Sequence, residues 1–140
     1  MTEQNFKNHP KYVLGFHLVT FVTILASLVI SILMIANLGI STTTIFEILV
    51  ALSLGFLFFY TRQFATGNQD RVIRAEENLR SYILTGKMLD NQLTRSQIIA
   101  LRFADDSEYL SLSEKAISQK LSPKDIKEAI QKWRADHHRV

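Results

Sequence analysis

The chain has 140 residues, a net charge of +3 and no cysteine. Without thiols, disulfides, zinc–thiolate sites, covalent haem attachment and thiol catalysis are excluded. Charge is unevenly distributed, because residues 1–60 carry only Glu3, Lys7, Lys11 and Glu47, and every other charged side chain follows residue 60. The second part mixes both signs of charge, which is not the pattern of a nucleic-acid-binding tail.

Two apolar runs lie in the first half of the chain. Residues 13–36 contain no charged side chain. As a helix this run is about 36 Å long, enough to cross a hydrocarbon core of about 30 Å. The second run, residues 45–61, is interrupted only by Glu47. We therefore predict a transmembrane helical hairpin over residues 13–61, with spans at about 13–36 and 45–61.

The charges around the runs predict an orientation. The connecting residues 37–44 carry none, whereas Lys7 and Lys11 precede the first run and Arg62, Arg71 and Arg74 follow the second. Because basic residues are retained in the cytoplasm, both termini are expected there. Residues 1–12 would form a cytoplasmic N-terminal segment and residues 62–140 a cytoplasmic helical domain.

Two ionisable residues are expected inside the membrane, His17 and Glu47. Glu47 follows Thr44 by three residues, a pattern typical of a capping box at a helix start, and we prefer this to proton or ion handling. We interpret His17 as an interfacial hydrogen-bonding group instead of a proton relay. The small residues of the two runs, including Ser27, Ser31, Ala51 and Gly55, predict close helix packing, with a dimer interface or a polar lining as the alternative.

A helical pattern continues from the second run towards Gly86, with a bend expected at Gly67. Polar pairs are expected on its outside, between Asp70 and Arg74 and between Glu76 and Arg80. We call its apolar stripe the seam, and expect it to pack within the domain because it is too short to indicate a coiled coil. The seam consists of Phe64, Asn68, Val72, Ala75, Leu79 and Tyr82.

Three shorter helices are predicted beyond Gly86. The first begins at Thr94 with a capping-box pattern to Gln97 and runs through Ala104. The second follows Asp105 and runs to about Leu121. The third begins at Ser122 and Pro123, and should bury one face. Its buried residues are predicted to be Ile126, Ala129, Ile130 and Trp133. The predicted fold is all-α, a two-helix transmembrane hairpin followed by a small cytoplasmic domain of about four helices.

No pattern in the sequence indicates catalysis. The glycines are too scattered for a phosphate-binding loop, and Asp136 with His137 and His138 does not form a metal-ligand set. We predict no catalytic, cofactor-binding or metal-binding residue, no cofactor and no enzyme activity.

Five residues are candidates for contact with a protein partner or with lipid. Asn68, Asp70, Arg71 and Arg74 follow the second run directly, and their alternative role is a structural collar beneath the membrane. Trp133 lies among basic residues that could contact anionic lipid. Its alternative place is the core of the domain, which we prefer.

Several short strings resemble a bacterial family of small two-span membrane proteins that is known only as a domain of unknown function. They are Gln4-Asn5-Phe6-Lys7-Asn8-His9, Asn68-Gln69-Asp70-Arg71, Ile73-Arg74, Glu76-Glu77, Leu93-Thr94, Gln97-Ile98, Ala100-Leu101-Arg102-Phe103-Ala104, Leu121-Ser122-Pro123-Lys124, Ile126-Lys127 and Trp133-Arg134-Ala135-Asp136. The resemblance implies a two-pass topology and a cytoplasmic helical tail, but no activity.

We therefore expect an uncharacterised multi-pass protein of the bacterial plasma (inner) membrane. It would be a non-enzymatic interaction or scaffolding module whose partners are the lipid bilayer, a protein bound at the cytoplasmic domain, and further copies of itself. No nucleic-acid partner is expected. The alternative is a subunit of a small oligomeric transporter or channel.

Overall fold

The computed structural model describes residues 4–136, and these residues are helical apart from their connections. We number the helices α1 to α5 in chain order. They are α1 (Gly15–Leu38), α2 (Thr42–Thr85), α3 (Arg95–Leu101), α4 (Asp106–Ser118) and α5 (Pro123–Ala129). The first turns of α1, Gly15–Thr20, have π-helical hydrogen bonding. The described chain contains no β-strand beyond one isolated bridge between Ala104 and Trp133, so the all-α prediction is confirmed.

The chain divides into two compact units. The apolar unit is Lys11–Ala65, and the polar unit contains the described residues before it and after it. Helix α2 contributes its first half to the apolar unit and its second half to the polar unit. Of the predicted N-terminal segment, the described residues 4–10 belong to the polar unit and residues 11–12 to the apolar unit.

Helices α1 and α2 are both long and apolar enough to cross a membrane. α1 begins and ends two residues later than the predicted span. It stops at Leu38, before Gly39, whose φ of +82° favours glycine. Within the apolar unit, the Phe16 and Phe58 rings stack with centroids 4.6 Å apart. Ser31 and Ala51 are buried, as the predicted packing of small residues requires.

The predicted cap of α2 is wrong. The helix starts at Thr42, and Ser41 caps it reciprocally with Thr44. The Thr44 N–H donates to Ser41 Oγ at 3.2 Å, and the Ser41 N–H donates to Thr44 Oγ1 at 2.9 Å. Thr44 thus takes the place that an acidic or amide side chain has in the usual box. Glu47 lies in the second turn and has no part in the cap.

The second half of α2 runs through Gly67 without a break and ends where Gly86 adopts a φ of +72°. Its buried residues are Ile73, Glu77, Arg80 and Ser81. Every seam residue from Asn68 to Tyr82 is exposed instead. The prediction that the seam packs within the domain is therefore wrong, because the face with Ile73, Glu77 and Arg80 packs against the core instead.

The core of the polar unit is built mainly from α3, α4 and α5. Its buried members are Leu93, Ile98, Ala100, Leu101, Ala104, Tyr109, Leu112, Ala116 and Ile126. Both predicted caps are present: Thr94 and Gln97 form a capping box at α3, and Ser122 and Asp125 form one at α5. These local hydrogen bonds fix where the short helices begin.

The last helices end earlier than predicted. α3 stops at Leu101, α4 at Ser118 and α5 at Ala129, so Trp133 is not on a helix. Beyond α5 the Glu108 carboxylate accepts hydrogen bonds from the Gln131 and Lys132 N–H groups at 3.1 and 2.9 Å. These bonds hold the backbone extended beside the segment after α3, and a helix cannot continue.

Candidate functional site

The N-terminal segment packs onto the end of the chain. The His9 ring lies 5.6 Å from the Phe103 ring and 5.8 Å from the Trp133 ring, between centroids. Gln4 forms two hydrogen bonds with the backbone of Asp136, accepting from its N–H at 2.7 Å and donating to its carbonyl at 3.2 Å. Three of the strings that carry the family resemblance thus meet at one place.

Backbone hydrogen bonds join the two stretches of chain that contact His9, one around Phe103 and the other around Trp133. The Arg134 N–H donates to the Phe103 carbonyl at 2.7 Å, and the Asp105 N–H donates to the Lys132 carbonyl at 3.0 Å. The Phe103 and Trp133 rings stack with centroids 4.8 Å apart. This arrangement leaves Arg134 at the surface, immediately beside the buried stack.

A buried arginine connects α2 to this region. The Arg80 guanidinium donates to the Ala104 carbonyl at 2.6 Å, to Asp106 at 2.7 Å and to Glu77 at 3.2 Å. It also lies 4.2 Å from the centre of the Tyr109 ring. The predicted partner Glu76 is not among these groups. Because the Arg80 and Glu77 side chains are only 9% and 6% exposed, their charges depend on each other for compensation.

The charged groups line an open cleft of about 490 Å³ in the polar unit. Arg80, Glu77 and a second ion pair, Arg102 with Asp136 at 3.0 Å, supply its polar lining. The exposed Arg134 lies at the cleft, as do the exposed apolar side chains Leu79 and Ile83. A surface with this composition can bind a ligand or segment that combines charge with apolar area.

Burial alters the acidity of two groups beside Arg80. Desolvation raises the pKa of Glu77 above its ordinary 4.5, although the nearby Arg80 charge lowers it. Desolvation and the charge of Glu77 raise the pKa of Tyr109, which therefore stays protonated at neutral pH. The Tyr109 hydroxyl points to the Glu77 carbonyl at 3.5 Å.

The four predicted contact residues on α2 do not line this cleft. Asn68, Arg71 and Arg74 are exposed. Asp70 pairs with Arg95 at 3.9 Å, and the predicted pairing with Arg74 is wrong. Their contact role stays a prediction.

Trp133 is half-buried, and its ring stacks on that of Phe103. Its Nε1–H is buried and has no hydrogen-bond acceptor in the described part of the chain. A contact of Trp133 with lipid or a partner stays a prediction.

The two ionisable residues predicted inside the membrane, His17 and Glu47, belong to the apolar unit. The His17 Nδ1 atom is 3.0 Å from the Val13 carbonyl oxygen, and its ring contacts Phe16. Glu47 is half-buried in a shallow groove of about 310 Å³ that Ser27 and Ser31 also line.

The described residues contain no cluster of three or more His, Asp or Glu side chains suited to a metal ion. His137 and His138 lie outside the described residues. The chemistry of the cleft is that of ion pairs and exposed apolar groups, which favours binding.

Sequence reasoning did not identify most residues of the cleft. Glu77, Arg102, Arg134 and Asp136 belong to strings that carry the family resemblance, so that signal was available. Arg80 belongs to none of them. Its role depends on the Ala104 carbonyl and on Asp106, which only the fold brings to it.

Replacing Arg80 should destabilise the polar unit strongly. Arg80→Ala leaves Glu77 buried without its partner, so the free energy of unfolding should fall by about 3–5 kcal/mol. Trp133 is the only tryptophan, so its fluorescence during urea unfolding of the full chain in detergent reports on this unit. The exposed Arg74 on the same helix is the matched control, and Arg74→Ala should change the free energy by less than about 0.5 kcal/mol. Equal effects of the two variants would contradict the assigned role of Arg80.

Glu77 should make stability depend on pH. Its raised pKa means that the folded chain holds the proton more tightly than the unfolded chain. Stability should therefore fall as pH rises from 4.5 through the folded-state pKa, and then level off. Glu77→Gln lacks this titration, so the unfolding free energy of the wild type minus that of the variant should decrease between pH 4 and 7. A difference that increases with pH would mean that Arg80 outweighs desolvation.

One family model matches the chain, over residues 1–140, and it describes a family of unknown function, DUF6526. No curated protein and no solved structure matches the chain. Because the match covers the whole sequence, the chain belongs to the DUF6526 family.

Proposed function

We propose that the chain is an integral membrane protein in which α1 and the first half of α2 form a transmembrane hairpin. The supporting observation is exposure: only 6% of the most apolar window of α1 and 11% of that of α2 is buried. The core helices of a soluble protein are mostly buried, whereas helices that face lipid are not. Two spans also exceed what a cleaved signal sequence provides.

The loop charges support an orientation with both termini in the cytoplasm. The loop between α1 and α2 carries no charge, and the arginines follow the second span. With the family resemblance, this favours the bacterial inner membrane. The polar unit follows the second span directly in the sequence, so it would lie on the cytoplasmic side.

We further propose that the polar unit is a non-enzymatic interaction or scaffolding module. The cleft beside Arg80 supports this, since it combines exposed apolar side chains with the accessible charge of Arg134. Protein segments are the partners that such a surface suits best. Lipid contacts of the α2 arginines would add to the anchoring.

The alternative function is a subunit of a small oligomeric transporter or channel. The groove that holds Glu47, Ser27 and Ser31 favours it, because an acidic residue within a span marks ion or proton pathways. Two helices are too few to enclose a path, so this function requires an oligomer. A strict monomer in detergent would exclude it.

Single cysteines test the topology cleanly, because the natural chain has none. Ile40→Cys, in the loop between α1 and α2, should react with a membrane-impermeant maleimide in intact spheroplasts. Asn91→Cys, an exposed position of the polar unit, should react only after the membrane is opened. Equal labelling of both positions in intact spheroplasts, or loss of the protein from carbonate-washed membranes, would contradict the proposed topology.

The interaction role is tested at Arg134. Arg134→Gln removes the exposed charge of the cleft and keeps the direct contacts of Arg80 with Glu77 and of Arg102 with Asp136. Crosslinking in native membranes should then recover fewer proteins bound to the chain. Lys115→Gln is the matched control on an exposed part of α4 and should recover the wild-type set. Unchanged recovery with Arg134→Gln, in a variant with the wild-type unfolding curve, would contradict a binding role for the cleft.

A further inference from the structure

The seam residues from Asn68 to Tyr82 form an exposed apolar stripe on the polar unit. Val72, Leu79 and Tyr82 are 56%, 60% and 55% exposed, and Ala75 is exposed between them. With Asn68 these residues follow the alternating four- and three-residue spacing of a heptad repeat, in which Val72 and Leu79 occupy the a positions. The opposite face of the helix packs onto the chain's own core through Ile73 and Glu77. The seam therefore has no cover within its own unit.

The charges beside the seam match those of a parallel pair of helices. In that arrangement a residue at position g contacts the e residue of the partner helix five positions later. Here position g is Arg71 and the e position five residues later is Glu76. Both side chains are exposed, and within the described chain neither forms a hydrogen bond or an ion pair.

Asn68 adds a further element of this pattern. It is exposed at a d position of the seam. A polar residue among the core positions of a coiled coil fixes the register at some cost in stability. The seam thus carries both a register signal and complementary charges.

We infer that the seam is a homodimer interface, in which α2 of one copy lies parallel to α2 of a second copy. The inference rests on the proposed membrane anchoring, since copies inserted in the same orientation meet with parallel helices. A two-fold axis then forms the Arg71–Glu76 contact twice. About two heptads are too few for a stable coiled coil in dilute solution. Confinement of all copies to one membrane raises their effective concentration and offsets that shortness.

Disulfide crosslinking tests the juxtaposition in native membranes. Val72→Cys lies at an a position, where the two copies approach closely, and should form disulfide-linked dimers on mild oxidation. Arg74→Cys is the matched control, since it is exposed two residues away on another side of the helix, and should form few. Comparable crosslinking at both positions would show random collision and overturn the inference.

Charge reversal identifies the partner as a second copy. In the Val72→Cys background, Arg71→Glu or Glu76→Arg should each reduce the crosslinked fraction by about fivefold, because two exposed ion pairs become repulsive. The double variant Arg71→Glu/Glu76→Arg should restore it. A lipid surface or an unrelated protein cannot produce this rescue, so loss without rescue would overturn the inference.

Two controls separate this inference from the proposed membrane anchoring. Each variant is checked for retention in carbonate-washed membranes and for an unchanged urea-unfolding curve of Trp133. A protein that stays in the membrane and folds, but does not crosslink at Val72→Cys, contradicts the dimer alone. A protein that leaves the membrane contradicts the anchoring.

Discussion

The polar unit depends on the buried Arg80 guanidinium. This group joins α2 to the segment after α3 and to the start of α4, through the Ala104 carbonyl and Asp106, and neutralises Glu77 inside the fold. The apolar stripe of α2 could have packed there instead, but buried charges require partners of defined geometry. Arg80 therefore sets which face of α2 points to the core, and the seam is left outside as a consequence.

The features that could be predicted from the sequence are those with local causes. The lengths of the apolar runs, the glycine stop at Gly86, and the capping boxes at Thr94 and Ser122 each depend on a few neighbouring residues. Glu47 shows the limit of such reasoning, since Ser41, three residues before Thr44, forms the cap with Thr44 instead.

The features that could not be predicted depend on contacts between distant residues. Apolar periodicity placed the seam in the core, because a stripe of Val, Leu and Tyr normally faces inward. That expectation is wrong here because Arg80 bonds to Glu77, to the Ala104 carbonyl and to Asp106. With these partners, Arg80 and Glu77 lie on the inward face of α2. The place of His9 beside Phe103 and Trp133 is likewise invisible to periodicity, as it joins residues more than ninety positions apart. Only the family resemblance marked those strings as a group.

The cleft and the proposed dimer interface share side chains, and this makes them physically dependent. Glu76, Leu79 and Ile83 line the cleft, and the same residues lie in or beside the seam. A second copy placed on the seam would add a new wall to the cleft and bring its own Arg71 to the rim. A ligand that contacts both walls then binds the dimer more tightly than the monomer, and by linkage it also favours dimerisation. Pairing of two copies and partner binding would thus reinforce each other through three side chains of one helix.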